Sequence, residues 1–340
     1  MKILMIGGTG NISTAATELL LKQGHDLYLY CRGSGDYKEF IMKGATIQYG
    51  DINDEVSVQS FLGKHTFDVI IDWIIFTPEQ AKRDIRLFMG KTTQYIFVSS
   101  ASAYQRPSKN YLVTEDMPLE NPYWEYSCNK IECEKIMMEA YKKDGFPVTI
   151  VRPSLTYGDT IIPYVLVSWL KPWSLIDRMR KGKRIIVPGD GTSLWVITHN
   201  TDFAKGIVGL MGKEKAIGEA FHITSDEVMT WDEVLNQIAE VIGVEPKPVH
   251  ISSEFIVAFM PDQLGNLNGD KISSVVFDNS KLKSVALEFE ATMSFKEGIA
   301  KTFAYLESHP ELQVIDTEYE ENTDRIIAAH DYGMSLAKKD

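Results

Sequence analysis

A doubly wound α/β protein with a parallel sheet, joined to a smaller unit assembled from later, discontinuous segments, is the fold class this sequence predicts. Three observations predict it. Short, nearly continuous apolar runs such as "KILMIGG", "DLYLYC", "FDVIIDWI" and "QYIFVSS" alternate with helical patterns through the first half. Runs of that kind are strands buried on both faces, as in a parallel sheet covered by helices. A glycine-rich turn, "GGTGNIS", lies between the first apolar run and the first helical segment. Beyond residue 153 the alternation loosens into a stretch rich in Trp, Pro and Gly.

Taken in order, the first strand leads into a helix from about Ser13 to Gln23, apolar at Ala16, Leu19 and Leu20. "DLYLYC" and "ATIQYG" follow as strands, then "FDVIIDWI" and "QYIFVSS", with helices over 36–43, 54–63 and 79–90. A helix opens near Tyr126 and delivers the chain to the strand "VTIVRP", while "EAFHITS" reads as one strand more. This divides the chain into a sheet domain over 1–153, rejoined by about 195–225, and a second unit from 154–194 and 226–312. Residues 313–340, polar and acidic at first, read as a terminal helix or tail.

The chain has 340 residues, 35 Lys and Arg against 47 Asp and Glu, and a formal charge of −12. That charge repels polyanions, and the longest basic stretch is "RMRKGKR" at 178–184, so nucleic acid is not the expected partner. No apolar run approaches the ~20 residues of a membrane span. "MKILMIGG" has neither the charged region nor the cleavage site of a signal peptide. Cys31, Cys128 and Cys133 are too few and too irregularly spaced for a disulfide framework or a metal site. A cytoplasmic protein with a small-molecule substrate and no metal is the expectation.

The glycine loop sits where a Rossmann-like dinucleotide fingerprint requires it, after a strand and before a helix. Gly7 takes the sharp turn, Gly10 lets backbone amides approach a pyrophosphate at the positive helix end, and Ser13 occupies the small third position. The second strand ends "YLYCRGSG", with Cys31 where an NAD enzyme commonly places an acid. Arg32 and Ser34 follow, which favours NADP over NAD. Asp51, in "YGDIND", is placed to accept from an adenine amino group, or to cap the next helix.

"YSCNK" places Tyr126 and Lys130 four positions apart, on one face of the opening helix. Upstream, "YIFVSSASAY" ends a strand with Ser99, Ser100 and Ser102. Functional side chains gather at the carboxyl ends of parallel strands, so one of these serines belongs beside a cofactor.

Glycine loop, serine-bearing strand and Tyr-x-x-x-Lys helix, in that order, resemble the short-chain dehydrogenase/reductase superfamily. The similarity is to its extended branch of NAD(P)-dependent epimerases and dehydratases, and it covers the chain to about residue 308. "GGTGNIS", "GDIND", "FVSSASAY", "YSCNK", "VRPSLTYG" and "GEAFHITSDEVMTWDEV" carry it. The resemblance implies that Ser100, four residues before Tyr104, is the catalytic hydroxyl. It implies Tyr126 as general acid/base, with Lys130 holding the nicotinamide ribose and lowering the phenol's pKa. It further implies cofactor contacts from Gly7, Thr9, Gly10, Asn11, Ile12, Arg32, Asp51 and Ile52, and from Pro153 and Ser154 on the nicotinamide side. Ser102, Tyr157 and Trp195 are candidates for the substrate pocket. Two of the five aromatic residues Tyr157, Tyr164, Trp169, Trp173 and Trp195 are expected there. Dimers through a helix bundle are common in the superfamily, so a homodimer is the implied assembly.

The pattern is broken in two informative places. Relatives acting on nucleotide sugars carry an arginine in a "GDG…RDF.HV.D" stretch; here "GDGTSLWVITHNTD" has Trp195 at that position. Tryptophan cannot offer the planar fork that binds a diphosphate, although Lys171, Arg178, Lys183 or Arg184 could substitute. Ile74 and Ile75 stand where small residues usually flank the cofactor. The expected function is therefore that of an oxidoreductase, epimerase or dehydratase acting on a hydroxyl- or carbonyl-bearing molecule, in which a sugar derivative fits. The alternative is a non-catalytic dinucleotide sensor or RNA-binding member, since the chloroplast stem-loop-binding proteins share similar loops. Sensors typically lose the Tyr–Lys pair, which this chain keeps.

Overall fold

The computed structural model describes residues 1–33, 40 and 43–337. Seven strands form the main sheet: β1 (Lys2–Ile6), β2 (Asp26–Cys31), β3 (Thr46–Tyr49), β4 (Phe67–Asp72), β5 (Thr92–Val98), β6 (Val148–Pro153) and β7 (Ala220–Ile223). All neighbours are parallel, in the order β7-β6-β5-β4-β1-β2-β3. Winding outward from β1 in both directions opens a crevice between β1 and β4 at their carboxyl ends, where such sheets bind ligands.

Each apolar strand serves two cores because alternate side chains leave opposite faces. Ile3 and Met5 of β1 pack with Ala16 and Leu20 of helix α1 (Ser13–Lys22), and with Phe203 and Ile207 of the helix Asn200–Leu210. Leu4 and Ile6 face the other way, into helices α2 (Glu55–Leu62), α3 (Pro78–Phe88) and α4 (Glu125–Asp144), through Val58, Leu87 and Met137. Local signals set the helix ends. Thr77 and Gln80 form a capping box around Pro78, the first residue of α3, and Gly145 ends α4 at φ 73°. The predicted helix at 36–43 and Ser34 fall largely or wholly outside the described residues.

The second unit has its own core, around Tyr164, Ile176, Ile186, Trp195, Trp231 and Ile238. Four short strand pairs stitch it, and one of them, Leu112–Val113 with Val276–Phe277, joins segments far apart in sequence. The expected terminal helix or tail is a helix, Thr317–Ala337, that buries Tyr319, Ile326 and Ile327.

This helix also neutralises the basic stretch at 178–184. Arg178 reaches Glu320 at 2.9 Å and Asp324 at 2.6 Å, Lys183 reaches Asp324 at 2.8 Å, and Arg184 reaches Asp331 at 2.9 Å. Arg180 pairs with Glu307 and Lys181 with Asp177, so all five cations of the stretch are engaged. Arg178 is 1% exposed, whereas Arg184 is 42% exposed. Removing one partner of a buried pair costs about 3–5 kcal/mol, but an exposed pair is worth about 0–1. Urea unfolding of Arg178→Met should therefore show a loss of several kcal/mol, against less than about 1 kcal/mol for Arg184→Ala. Equal losses would show that Arg178 is not the anchor of the terminal helix.

Candidate active site

The glycine loop is held from within. Gly7 adopts φ 79°, and a Cβ there would lie 2.7 Å from Cγ2 of Ile74, so both conformation and space require glycine. Ser13 Oγ donates to the Gly7 carbonyl at 2.8 Å and accepts from the Gly10 amide at 2.8 Å. The small third position thus acts as a staple across the turn. Helix α1 starts with no side-chain cap, which leaves its N-terminal amides for a ligand, and the buried Nδ2 of Asn11 has no hydrogen-bond partner.

Two adjoining cavities meet at this loop and share Gly7, Gly10, Ile74 and Phe76. One, about 400 Å³, runs along the ends of β1 and β2 past Thr9, Arg32, Asp51 and Ile52. The other, about 450 Å³, holds Asn11, Ile12, Ser100, Ser102, Tyr126, Lys130, Pro153 and Ser154. An extended dinucleotide fits such a paired trough: glycines at its waist, free helix amides, and an orphaned amide donor at Asn11. Asp51 does not cap the next helix: Asp54 does, by accepting from the Ser57 amide at 3.2 Å, because α2 begins at Glu55. Asp51 lines the trough, while its Oδ1 accepts from the amide and the side chain of Asn53 at 2.9 Å each.

At the far end, Ser127 Oγ donates to Ser102 Oγ at 2.7 Å, and Ser102 lies 2.9 Å from Ser100 Oγ. Ser102 Oγ accepts from Ser127 and, with a second lone pair and its own proton, can either accept from or donate to Ser100. Ser102, 4% exposed, thus links Ser127 of α4 to Ser100 at the strand end. Ser99 faces elsewhere and donates to Glu134 of α4 at 2.5 Å. Glu134 in turn accepts from Arg152 of β6 at 2.9 and 2.6 Å. This ion pair, 3% and 5% exposed, fixes α4 against β5 and β6.

Other expectations are placed differently. Trp195 is 1% exposed and stacked on Trp231 at 5.7 Å, and Tyr157, also 1% exposed, donates to the Phe295 carbonyl. Both are core residues that do not line the cavity. Of the five aromatic residues, Trp169 alone lines it; the other aromatic walls are Trp73, Phe76 and Trp124. Trp124 precedes Tyr126 by two residues, a proximity the sequence displays, but Asp270 and Lys271 lie some 140 positions away with no local signal. Ile75 is buried and takes part only through its carbonyl. Among the described residues no group of three His, Cys, Asp or Glu is placed to hold a metal ion. No helix among them is long and apolar enough to cross a membrane.

A family model described as the NAD dependent epimerase/dehydratase family matches residues 3–224. The chain belongs to this family. Among curated relatives, the chloroplast stem-loop binding protein of 41 kDa b from Arabidopsis thaliana is 28% identical over 262 residues, 73% of this chain and 65% of that protein. A UDP-glucose 4-epimerase from Lactobacillus helveticus is 31% identical over 169 residues, 45% of this chain and 51% of that protein. The chain thus spans between half and two thirds of the length of these two relatives. The fold is similar to that of UDP-glucuronic acid 4-epimerase from Bacillus cereus in complex with UDP-glucuronic acid and NAD. That likeness has a TM-score of 0.72 at 20% identity, covers 91% of this chain and 99% of that one, and speaks for the fold. The Rossmann-type sheet and membership of the NAD dependent epimerase/dehydratase family therefore stand as the sequence led us to expect.

Within this epimerase/dehydratase chain the Tyr–Lys pair differs from expectation in one respect. Burial raises the Tyr126 phenol above its ordinary value; a hydrogen bond with Ser100 lowers it in part, and Asp270 adds to the rise. Lys130 makes no matching contribution, since its Nζ is drawn to the carbonyls of Ile75 at 2.5 Å and Val98 at 2.9 Å. It also lies 4.9 Å from the Phe76 ring centroid, and desolvation lowers its own pKa to about 8. The unfolded lysine keeps its proton to about 10.5, so between 8 and 10.5 the unfolded chain binds more protons. Stability must then rise with pH across that window. Relative to Lys130→Met, the wild type should gain stability in denaturant titrations stepped from pH 8 to 10. Parallel curves would show that the ammonium is not desolvated.

Proposed function

We propose that the protein is an NAD(P)-dependent oxidoreductase or epimerase acting on a secondary alcohol or carbonyl of a small molecule, with Tyr126 as acid/base. The observation that carries the reading is the convergence of Ser100, Tyr126 and Lys130 on one cavity continuous with the glycine-loop trough. A bound dinucleotide supplies the hydride acceptor or donor. Gly7, Thr9, Gly10, Asn11 and Ile12 would hold its pyrophosphate, Arg32, Asp51 and Ile52 its adenosine end, and Lys130, Pro153 and Ser154 its nicotinamide end. In the oxidising direction Ser100 donates a hydrogen bond to the substrate oxygen and steadies charge as it develops. Tyr126, acting as its phenolate, takes the hydroxyl proton while the carbon releases hydride, which leaves a carbonyl. In the reverse direction the phenol returns the proton.

The Asn121 side chain supports this arrangement by donating to the Ser102 carbonyl at 2.7 Å, which fixes the turn that follows β5. Tyr126→Phe should abolish turnover in a screen of alcohols and ketones that follows cofactor absorbance, while the dinucleotide still binds. Undiminished turnover in that variant would refute the assigned role.

The family description and the similar structure name NAD, and the finer preference for NADP rests on Arg32. Cys31 is buried and no acid stands at the strand end, whereas Arg32 is exposed at the rim of the trough. Arg32→Ala should weaken NADP about tenfold or more and leave NAD unchanged, as judged by fluorescence titration; one charge-assisted contact is worth about 1.5–3 kcal/mol. Equal affinities in the variant and the wild type would remove the preference. The stem-loop-binding relative raises the second reading, RNA binding. The five cations of 178–184 are satisfied internally, and the net charge is −12, so this stretch offers it no basic face. The exposed side of α4 carries internal ion pairs, Lys135 with Glu132 and Lys143 with Glu139, as a solvated helix does.

A further inference from the structure

One wall of the catalytic cavity is a π-helical turn of the second unit, Leu267–Lys271. Widened turns of this kind are rare and recur at functional sites. Asn121 ties this one to the catalytic strand end, because the side-chain amide that bonds Ser102 also donates to the Gly269 carbonyl at 2.6 Å. Asp270 and Lys271 thereby face the cavity that contains Tyr126.

Lys271 is 3% exposed and donates to Asp270 at 2.9 Å. Its Nζ lies 5.8 Å from the Trp124 ring centroid and 5.7 Å from that of Trp169, and Trp124 is 5.0 Å from the Tyr126 ring. Behind Asp270 stands Arg106, 1% exposed, with Nη2 3.7 Å from the carboxylate. Its Nε and Nη2 have no hydrogen-bond partner among the described residues. Two cations and one carboxylate leave this dry wall with one net positive charge. A buried charge without its counterpart is costly, and an incoming anion recovers that cost.

The anion is not a nucleotide diphosphate. Trp195, at the position where the nucleotide-sugar relatives carry arginine, is buried against Trp231. The four cations that could have replaced that arginine are engaged by acids: Lys171 by Asp316, and Arg178, Lys183 and Arg184 by the terminal helix. A single residual charge matches a carboxylate, and the faces of Trp124 and Trp169 suit a compact ring or chain.

We propose that the Asp270–Lys271 turn, backed by Arg106, binds a carboxylate of the substrate, so that the molecule presented to Tyr126 is a hydroxy or oxo acid without a nucleotide. The inference rests on the hydride-transfer reading and names its substrate class. Calorimetry on the NAD-loaded full chain tests it with D-glucuronate, its methyl ester, glucose 6-phosphate and UDP-glucose as probes. Glucuronate should bind at least tenfold more tightly than the ester, glucose 6-phosphate or UDP-glucose. Lys271→Met should erase the preference for acid over ester while NAD binding stays the same, and Lys271→Arg should keep it. The assignment is overturned if the ester binds as well as the acid, if either phosphate probe binds more tightly, or if glucuronate gives no heat at millimolar concentration. A preference that survives in folded Lys271→Met also overturns it. Tyr126-dependent turnover with no acid preference would sink this inference alone. Acid binding without Tyr126-dependent turnover would instead sink the hydride-transfer reading.

Discussion

The ion pair between Glu134 and Arg152 is the constraint on which the site depends. Arg152 stands near the end of β6, just before Pro153 and Ser154, and Glu134 lies one turn beyond Lys130 on α4. Two parallel bonds between them fix helix to strand in both distance and orientation. Ser99 adds the neighbouring strand by donating to the same carboxylate, which sets the position of Ser100. The guanidinium also lies 4.8 Å from the Tyr104 ring centroid, and the Tyr104 hydroxyl bonds His222 of β7. Three strand ends and α4 therefore share one buried charge pair.

Much of this was legible in the sequence because it is local. Strands buried on both faces declare themselves by continuous apolar runs, and Gly7 and Ser13 sit at fixed offsets in a turn whose geometry demands small residues. The Tyr126–Lys130 spacing needs only the period of a helix. The second unit was opaque for the opposite reason. Trp195 reads as a pocket residue by analogy with the arginine it replaces, but an apolar ring at that position gains more from stacking on Trp231 than from facing water. Asp270 and Lys271 reach the site from a segment distant in sequence, tied there by contacts such as Asn121 to the Gly269 carbonyl and Trp231 to the Lys271 carbonyl, and no periodicity marks such contacts. The electrostatics of the Tyr–Lys pair were also hidden. Spacing places Lys130 beside Tyr126, but two backbone carbonyls compete for the ammonium.

The basic stretch at 178–184 shows why composition predicts poorly at short range. Five cations in seven residues look like a polyanion surface, but the sequence supplies their acids elsewhere: on the terminal helix, at Glu307 and at the adjacent Asp177. The net result is an apolar-walled cavity with few uncompensated charges, in a molecule whose surface repels polyanions. Recognition in such a site depends on a small number of desolvated groups, each of which counts for more than it would in water.

The order in which the chain contributes to its main sheet has a consequence for synthesis. The outer neighbour of β6 is β7, at 220–223, and the helix that covers α1 and its face of the sheet is Asn200–Leu210. A nascent chain that has emerged only to residue 153 therefore has an open strand edge and an uncovered apolar layer. Such surfaces recruit other chains. About seventy further residues must leave the ribosome before that edge is paired, at about 5–20 residues per second. The Leu112–Val113 strand waits longer still, for Val276–Phe277. The protein's most exposed moment is thus a window of several seconds during translation, during which chaperone capture matters more than the stability of the finished fold.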